Sequence, residues 1–285
     1  MNIQPDTSVP TMHASFVEGA VRLPISAVII TLNCVKMLGE TLVSLSFIDE
    51  IVVVDSGSTD GTIELAQQYG ARVVQQTWLG FGPQKQFGVM QAKHDWVLSV
   101  DSDERVSAEL QHAMRKAFER GVPTTQAYRF ARCNRFMGRY LRHGEGYPDW
   151  SLRLFHRAHA RWSDDAVHEK VLTDVAVQTL AGDLLHDSAE TMSRYLAKQD
   201  RYTTLAAQTA VAAGRCPGLL TTALRAVLSP LVRFIKFYVV RRGFLDGVPG
   251  LVHIGIGCYT AYAKYIKMYR LSRQRDGNVR QETHK

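Results

Sequence analysis

The chain has 285 residues, of which 46% are hydrophobic and 9% aromatic, enough to bury a sizeable core and too apolar for a disordered chain. The net charge of +7 is concentrated at one end: from Gly214 onward 13 Lys or Arg stand against 3 Asp or Glu, leaving 21 against 24 before it. Four scattered cysteines, Cys34, Cys133, Cys216 and Cys258, form no CxxC pair, which excludes a thiolate zinc site and a secreted disulfide framework and points to a reducing compartment.

The first 21 residues contain no Lys or Arg and no apolar run, so no signal peptide is expected and the protein is placed on the cytoplasmic side. Residues 1–23 read as a flexible leader. "ISAVIITL" (Ile25–Leu32) is a β-branched strand, after which Val35, Leu38, Leu42 and Leu45 recur as on one helix face. "EIVVVD" (Glu50–Asp55) is a second strand. "SGSTDGT" supplies turn residues and a helix start, and a helix over Ile63–Gln68 closes at Gly70. A short strand, Ala71–Gln76, and a Gly/Pro loop from Trp78 lead to a helix near Gln86–Ala92 and to the strand "DWVLSV". Strands alternating with helices predict an α/β fold with a doubly wound, mostly parallel sheet, whose ligands sit at the carboxyl ends of the strands. Asp55 and Asp101 fall at such ends.

Asp101 and Asp103, one residue apart, have the chemistry to hold a hard cation, Mg²⁺ or Mn²⁺, whose remaining positions go to substrate phosphates. An isolated pair of this kind also serves as helix-start carboxylates, and Glu104 is assigned that role before a helix from Ser107 to about Arg120. The turn after Asp55 matches neither a dinucleotide fingerprint nor a P-loop, so its backbone amides are expected to meet a nucleotide in another way. Farther along, "AYRFARCNRF" and "DWSLRLFHR" read as an α+β continuation, and helical spacing returns from Thr191 to about Ala213. "AAGRCPG" marks a boundary, giving expected segments 24–213, 214–273 and a polar tail 274–285. In "LLTTALRAVLSPLVRFIKFYVVRR", Arg225, Arg233 and Lys236 lie within about 80° on a helix, a basic amphipathic pattern. Residues 247–263 carry no Asp, Glu, Lys or Arg but are short for a span, so the headgroup region is their expected place. Lys264, Lys267, Arg270 and Arg273 repeat every third residue, a further cationic stripe suited to anionic lipid or phosphorylated saccharide.

The ordered set "ISAVIITLN", "EIVVVDSGSTDGT", "GPQKQFGVMQA" and "DWVLSVDSDE" resembles the N-terminal half of inverting family 2 glycosyltransferases, which have the GT-A fold. "YPDWSLRLFHR", "DAVHEKV", "LLHDS" and "GFLDG" resemble, more loosely, the branch that includes lipopolysaccharide core β-1,4-glucosyltransferases. One departure is Cys34, where the family often has Glu after Asn. The resemblance implies that Asp55, with Thr31 and Asn33, binds the uracil or ribose of a UDP-sugar. It further implies that Asp101 faces ribose and metal, that Asp103 ligates the metal, and that Lys85 neutralises diphosphate. Glu169 in "VHEKV" is the expected catalytic base, with Asp165 and Asp149 as alternatives, and His186 in "LLHDS" is a further metal candidate.

The expected reaction is transfer of a sugar, glucose first, to a lipopolysaccharide inner-core heptose, or to another lipid-linked or cell-surface glycan. The expected setting is the cytoplasmic face of a bacterial inner membrane, in peripheral contact. A sugar nucleotidyltransferase would need a Gly-rich basic loop after the first strand, where "TLNCVKMLGE" stands, and a HAD-type phosphatase would need its acidic pair on the first strand. No nucleic-acid partner is expected, because the basic residues interleave with aliphatics and not with a base-stacking platform.

Overall fold

The structure is a computed structural model describing residues 21–119, 121–123, 126–165, 169–188 and 191–282, with side chains described as far as residue 275. The expected leader lies outside it but for its last three residues. In chain order the elements are β1 (Leu23–Thr31), α1 (Val35–Ser44), β2 (Ile48–Asp55), α2 (Thr62–Gln68), β3 (Arg72–Gln75), α3 (Phe81–Gln91), β4 (Trp96–Asp101), β5 (Glu104–Val106) and α4 (Ala108–Phe118). There follow β6 (Gln126–Phe136), β7 (Arg139–Tyr140), β8 (Asp149–His156), β9 (Ala160–Trp162), β10 (Val171–Thr173), β11 (Ala176–His186), α5 (Met192–Ala212), α6 (Leu219–Phe234), a π-helical turn (Ile235–Val240), a 3-10 turn (Gly243–Asp246) and α7 (Gly247–Glu282). Two compact units are formed, one by the chain up to Phe130 with Leu152–Gly182, the other by Ala131–Ser151 with the chain from Asp183.

The sheet order is β3-β2-β1-β4-β8-β6-β11-β5, with β7 on β6. β3, β2, β1 and β4 run parallel, as their alternation with helices predicts, and β8 returns antiparallel to β4, which makes the sheet mixed. The parallel strands read as near-continuous apolar runs because both faces are covered. In the first unit Val28, Val52, Val54, Val97 and Phe155 bury together with Val89 of α3 and Trp162. Register aligns Thr31 with Asp55 and Ile30 with Asp101, so the carboxyl ends of β1, β2 and β4 stand in a row.

The helix expected from Gln86 begins earlier, at Phe81. Pro83 falls in its first turn, where a missing backbone N–H removes no helical hydrogen bond. Gly82 allows α3 to come close to its neighbour, since a Cβ there would lie 2.1 Å from the Ser163 carbonyl oxygen. Glu104 is also not where it was expected: it belongs to β5 and is fully buried, and Ser107 caps α4 by accepting from Leu110 N–H at 3.2 Å.

In the second unit α7 packs on α5 and α6, burying Ala207, Ala210, Val211 and Met268, with Ile254 and Ala263 also buried. The uncharged run 247–263 is therefore the start of a packed helix, and its Gly257 is a close-approach residue whose Cβ would fall 2.3 Å from Glu145 Oε2. Two cations of the expected stripe are held by the protein. Lys267 Nζ donates to Asp200 Oδ1 at 2.6 Å and to Thr203 and Thr204, and Arg233 pairs with Glu145, its Nε donating at 3.0 Å. α7 runs on to Glu282, past the expected boundary at residue 273. Among the described residues no helix is long and apolar enough to cross a membrane.

Replacing Gly82 by Ala is expected to destabilise the protein by about 1–3 kcal/mol through overpacking. Gly255→Ala, where nothing lies within 4 Å of the added Cβ, should stabilise α7 by about 0.5–1 kcal/mol. Urea midpoints of the two variants, moving in opposite directions, check the pair.

Candidate active site

Asp55 ends β2 with its side chain buried. Its Oδ1 accepts from the backbone N–H of Gly57 at 2.9 Å and of Ser58 at 2.8 Å, and its Oδ2 from the hydroxyls of Thr31 at 2.8 Å and Ser58 at 2.5 Å. Burial pushes its pKa up, but the hydrogen bonds from Ser58, Thr31 and Gly57 together bring it below the usual carboxylate range. Four donors match the acceptor capacity of a carboxylate, so Asp55 fixes the shape of the 56–60 turn.

Asn33 takes the left-handed conformation, φ 51°, accepts from Thr59 N–H at 2.9 Å through Oδ1, and donates its own N–H to Ser58 Oγ at 2.9 Å. Farther along, Cys34 N–H donates to Thr62 Oγ1 at 2.9 Å and Val35 N–H to Asp60 Oδ2 at 3.2 Å. These bonds join the exit of β1 to the turn after β2, so Thr31, Asn33 and Asp55 come together as expected. Burial raises the Cys34 thiol pKa, which keeps it protonated. The fully buried Gln84 of α3 donates to Ser56 Oγ at 3.1 Å and to the Gln76 carbonyl at 3.2 Å, fastening α3 to the same turn.

The second cluster is built around two buried cations. Lys85, 4% exposed, places Nζ 3.0 Å from Asp101 Oδ1 and 3.1 Å from Glu169 Oε1, over the Trp162 ring at 4.6 Å. Arg153 of β8, 7% exposed, donates from Nη2 to Asp101 Oδ2 at 3.1 Å and lies 3.5 Å from Glu104 Oε1, with its guanidinium 5.4 Å from the same ring. Burial works against the Arg153 charge, but Glu104 and Asp101 hold its pKa above the ordinary value. Glu104 Oε2 accepts the backbone N–H of Asp101 at 2.9 Å, and the Ser102 carbonyl accepts from Thr41 Oγ1 at 2.9 Å. The turn carrying Asp101 and the half-buried Asp103 is thereby fixed from two sides.

The structure thus brings Lys85, Asp101 and Glu169 into direct contact and adds Arg153 and Trp162, which the motif reading did not single out, and Glu104, which it had placed at a helix start. The signal for Arg153 was a cation inside the apolar run "WSLRLF", since a buried Arg needs a carboxylate partner. Of the alternative bases, Asp165 is exposed and Asp149 lies 3.9 Å from Arg132 in the second unit. His186 also belongs to the second unit, where its Nδ1 contacts Asn134 Oδ1 at 2.7 Å.

The donor set suits a hard cation. Asp101 and Asp103 are carboxylates one residue apart, the oxygen ligands such a cation takes. No group of three or more His, Cys, Asp or Glu able to hold a metal occurs among the described residues, so water and phosphate oxygens would complete the coordination. Two buried donors in the same cluster, Arg153 Nη1 and Trp162 Nε1, have no hydrogen-bond partner among the described residues, and they suit anionic oxygens.

Because the folded-state pKa of Asp55 is depressed, its contribution to stability is present above the unfolded carboxylate value of about 3.9 and is lost as pH falls through the folded value. Asp55→Asn is therefore expected to be less stable than the wild type at neutral pH, with the gap shrinking below about pH 4. Urea midpoints measured against pH check this.

Residues 26–175 match the family Glycosyl transferase family 2. The lipopolysaccharide core biosynthesis glycosyltransferase LpsC of Rhizobium meliloti (strain 1021) is 30% identical over 256 residues, 87% of this chain and 93% of that protein. An uncharacterized glycosyltransferase of Rickettsia bellii (strain RML369-C) is 29% identical over 263 residues, 88% of this chain and 87% of that one. Among solved structures, glucosyl-3-phosphoglycerate synthase from Mycobacterium tuberculosis in complex with Mn²⁺, UDP and glucosyl-3-phosphoglycerate aligns with a TM-score of 0.32 and 25% identity over 41% of this chain and 45% of that one. With the family matched over more than half its length, the chain is a member of glycosyltransferase family 2.

Proposed function

We propose that this enzyme transfers glucose from a UDP-sugar to a heptose hydroxyl of a lipopolysaccharide inner core, with inversion at the anomeric carbon. The observation that carries the chemistry is the contact of one buried lysine with both Asp101 and Glu169 beside the row of strand ends. The similarity to LpsC, named for lipopolysaccharide core biosynthesis, supports the acceptor class.

The nucleoside lies against the turn shaped by Asp55, with Thr31 and Asn33 beside it, and the Ser58 hydroxyl yields its place on Asp55 to the incoming base or ribose. The diphosphate meets Lys85, Arg153 Nη1 and Trp162 Nε1, whose N–H groups face charge that grows as the leaving group departs. Mg²⁺ or Mn²⁺ held by Asp101 and Asp103 supplies, when bound, positive charge for that diphosphate. His186, whose Nδ1 contacts Asn134 Oδ1, is left out of this ligand set.

Glu169 takes the proton of the acceptor hydroxyl as its oxygen attacks the anomeric carbon from the face opposite UDP. The new glycosidic C–O bond forms as the bond to the β-phosphate oxygen breaks, and UDP carries away the electron pair. Lys85 orients the Glu169 carboxylate throughout. Glu169→Gln, which keeps shape and removes the base, should lower turnover by about 10²–10⁴-fold while UDP-sugar binding persists. UDP release with a heptose-bearing lipid acceptor is the readout, and near wild-type turnover in this variant would refute the base. Asp103→Ala should lose the response to added Mg²⁺ or Mn²⁺.

The enzyme works at the cytoplasmic face of the bacterial inner membrane through α6 and the π-helical turn. Leu220, Leu224, Val227, Leu231 and Ile235 recur at helical spacing and are all exposed, Leu220 at 83% and Val227 at 67%. Arg225, Lys236, Arg241 and Arg242 beside them are exposed too, a pattern that suits an anionic lipid surface. Co-sedimentation with vesicles containing phosphatidylglycerol is expected, with weaker binding to phosphatidylcholine alone and at least about tenfold weaker binding for Leu220→Glu/Val227→Glu. Unchanged binding of that variant would rule the surface out.

A further inference from the structure

The loop between β3 and α3 carries three large apolar side chains into solvent: Trp78, Leu79 and Phe81 are 45%, 49% and 55% exposed. Adjacent apolar groups left in water forgo the gain of burial, and a patch of this kind marks a contact surface. We propose that Trp78 and Phe81 form a stacking platform for a sugar ring of the acceptor saccharide. The inference rests on the reading of Glu169 as the base that meets the acceptor hydroxyl, and it adds side chains that hold the acceptor there.

Hydrogen bonds fix this loop at both ends. Gln76 N–H donates to the Asp55 carbonyl at 2.9 Å, which ties the start of the loop to the turn after β2. The buried Gln84 accepts from Leu79 N–H at 3.2 Å through its side chain, and its own backbone N–H donates to the Gly80 carbonyl at 2.9 Å. Gly80 takes φ 102°, a conformation that a residue with a Cβ rarely adopts, and the chain turns there. Trp78 and Phe81 consequently meet edge to face, with ring centroids 4.9 Å apart and planes at 87°. Two rings held at a right angle make a corner already formed before a ligand arrives, so little freedom is lost on binding.

The corner adjoins the carboxylate assigned to the acceptor. Phe81 opens α3, and a Cβ added at the next residue, Gly82, would lie 3.4 Å from Glu169 Cβ. Lys85 follows one helical turn after Phe81, on the same side of the helix, and its Nζ stands 3.1 Å from Glu169 Oε1. A ring stacked on Phe81 would therefore present its hydroxyls toward the Lys85–Glu169 pair.

The chemistry of the loop selects a saccharide over a lipid surface. A pyranose presents C–H groups on its faces, and the negative faces of Trp and Phe attract them without any need of charge. From Val73 to Gln84 the sequence contains no Asp, Glu, Lys or Arg. An anionic lipid surface is met by cations, which α6 carries and this loop does not.

The test titrates the full chain, in the presence of UDP, with a delipidated core oligosaccharide that ends in heptose, followed by ligand-observed NMR. Saturation transfer is expected to be strongest at the C–H protons of the terminal sugars. Trp78→Ala and Phe81→Ala should each weaken oligosaccharide binding by about tenfold and leave UDP affinity unchanged, and Trp78→Phe, which keeps a ring face, should restore most of it. In turnover assays the alanine variants should raise the acceptor KM by a similar factor, with kcat and the donor KM little changed. Wild-type oligosaccharide affinity in both alanine variants, no oligosaccharide binding to the wild-type chain, weakened UDP binding, or loss of vesicle binding in place of oligosaccharide binding would each overturn the platform. Oligosaccharide binding that depends on Trp78 but leads to no sugar transfer would uphold the platform and strike the reaction reading instead.

Discussion

The buried ammonium of Lys85 is the constraint on which the first unit depends. An unpaired charge at that depth would cost several kcal/mol, and two nearby carboxylates, Asp101 and Glu169, pair with it. Meeting that need requires α3, the end of β4 and the segment after β9 to converge within hydrogen-bond reach. Gly82 permits the approach and Trp162 gives the cation an apolar floor. Arg153 repeats the arrangement on the other oxygen of Asp101, with the buried Glu104 behind it. Groups that hold the strand ends together are thus the same ones to which we assign the reaction.

The turn after Asp55, where we place the nucleotide, follows a different logic. There the acidic side chain is satisfied by the turn it shapes, and the loop after β1 is joined to the turn after β2 by five or more hydrogen bonds from short polar residues. A turn built in this way is ordered before substrate arrives, so little conformational entropy remains to be lost on binding.

Much of this was legible in the sequence because it is periodic or local. The apolar runs ending in Asp55 and Asp101, the helix spacing of Val35, Leu38 and Leu42, and the onset of helix α5 next to Thr191 all appear where the pattern places them. Non-local contacts were not legible. Arg153 meets Asp101 across 52 residues of chain, and nothing near Glu104 says that it joins a three-residue strand instead of a helix start. The start of α3 was hidden by "GFGP", whose glycines and proline read as a loop until the Ser163 carbonyl is seen against Gly82. At the C-terminal end the spacing of cations was visible, whereas the partners of Lys267 and Arg233, Asp200 and Glu145, were not.

The depth of Lys85 and Arg153 has a consequence for how the molecule responds to its ionic surroundings. Mobile ions screen charges they can approach, over about 8 Å at physiological strength, and they screen charges as buried as those of Lys85 and Arg153 much less. Arg225, Lys236, Arg241 and Arg242 stand in solvent, where the same ions weaken any attraction they exert. Added salt therefore works as a physical filter, damping the long-range field of the C-terminal helices while the cluster around Lys85 keeps its charge arrangement.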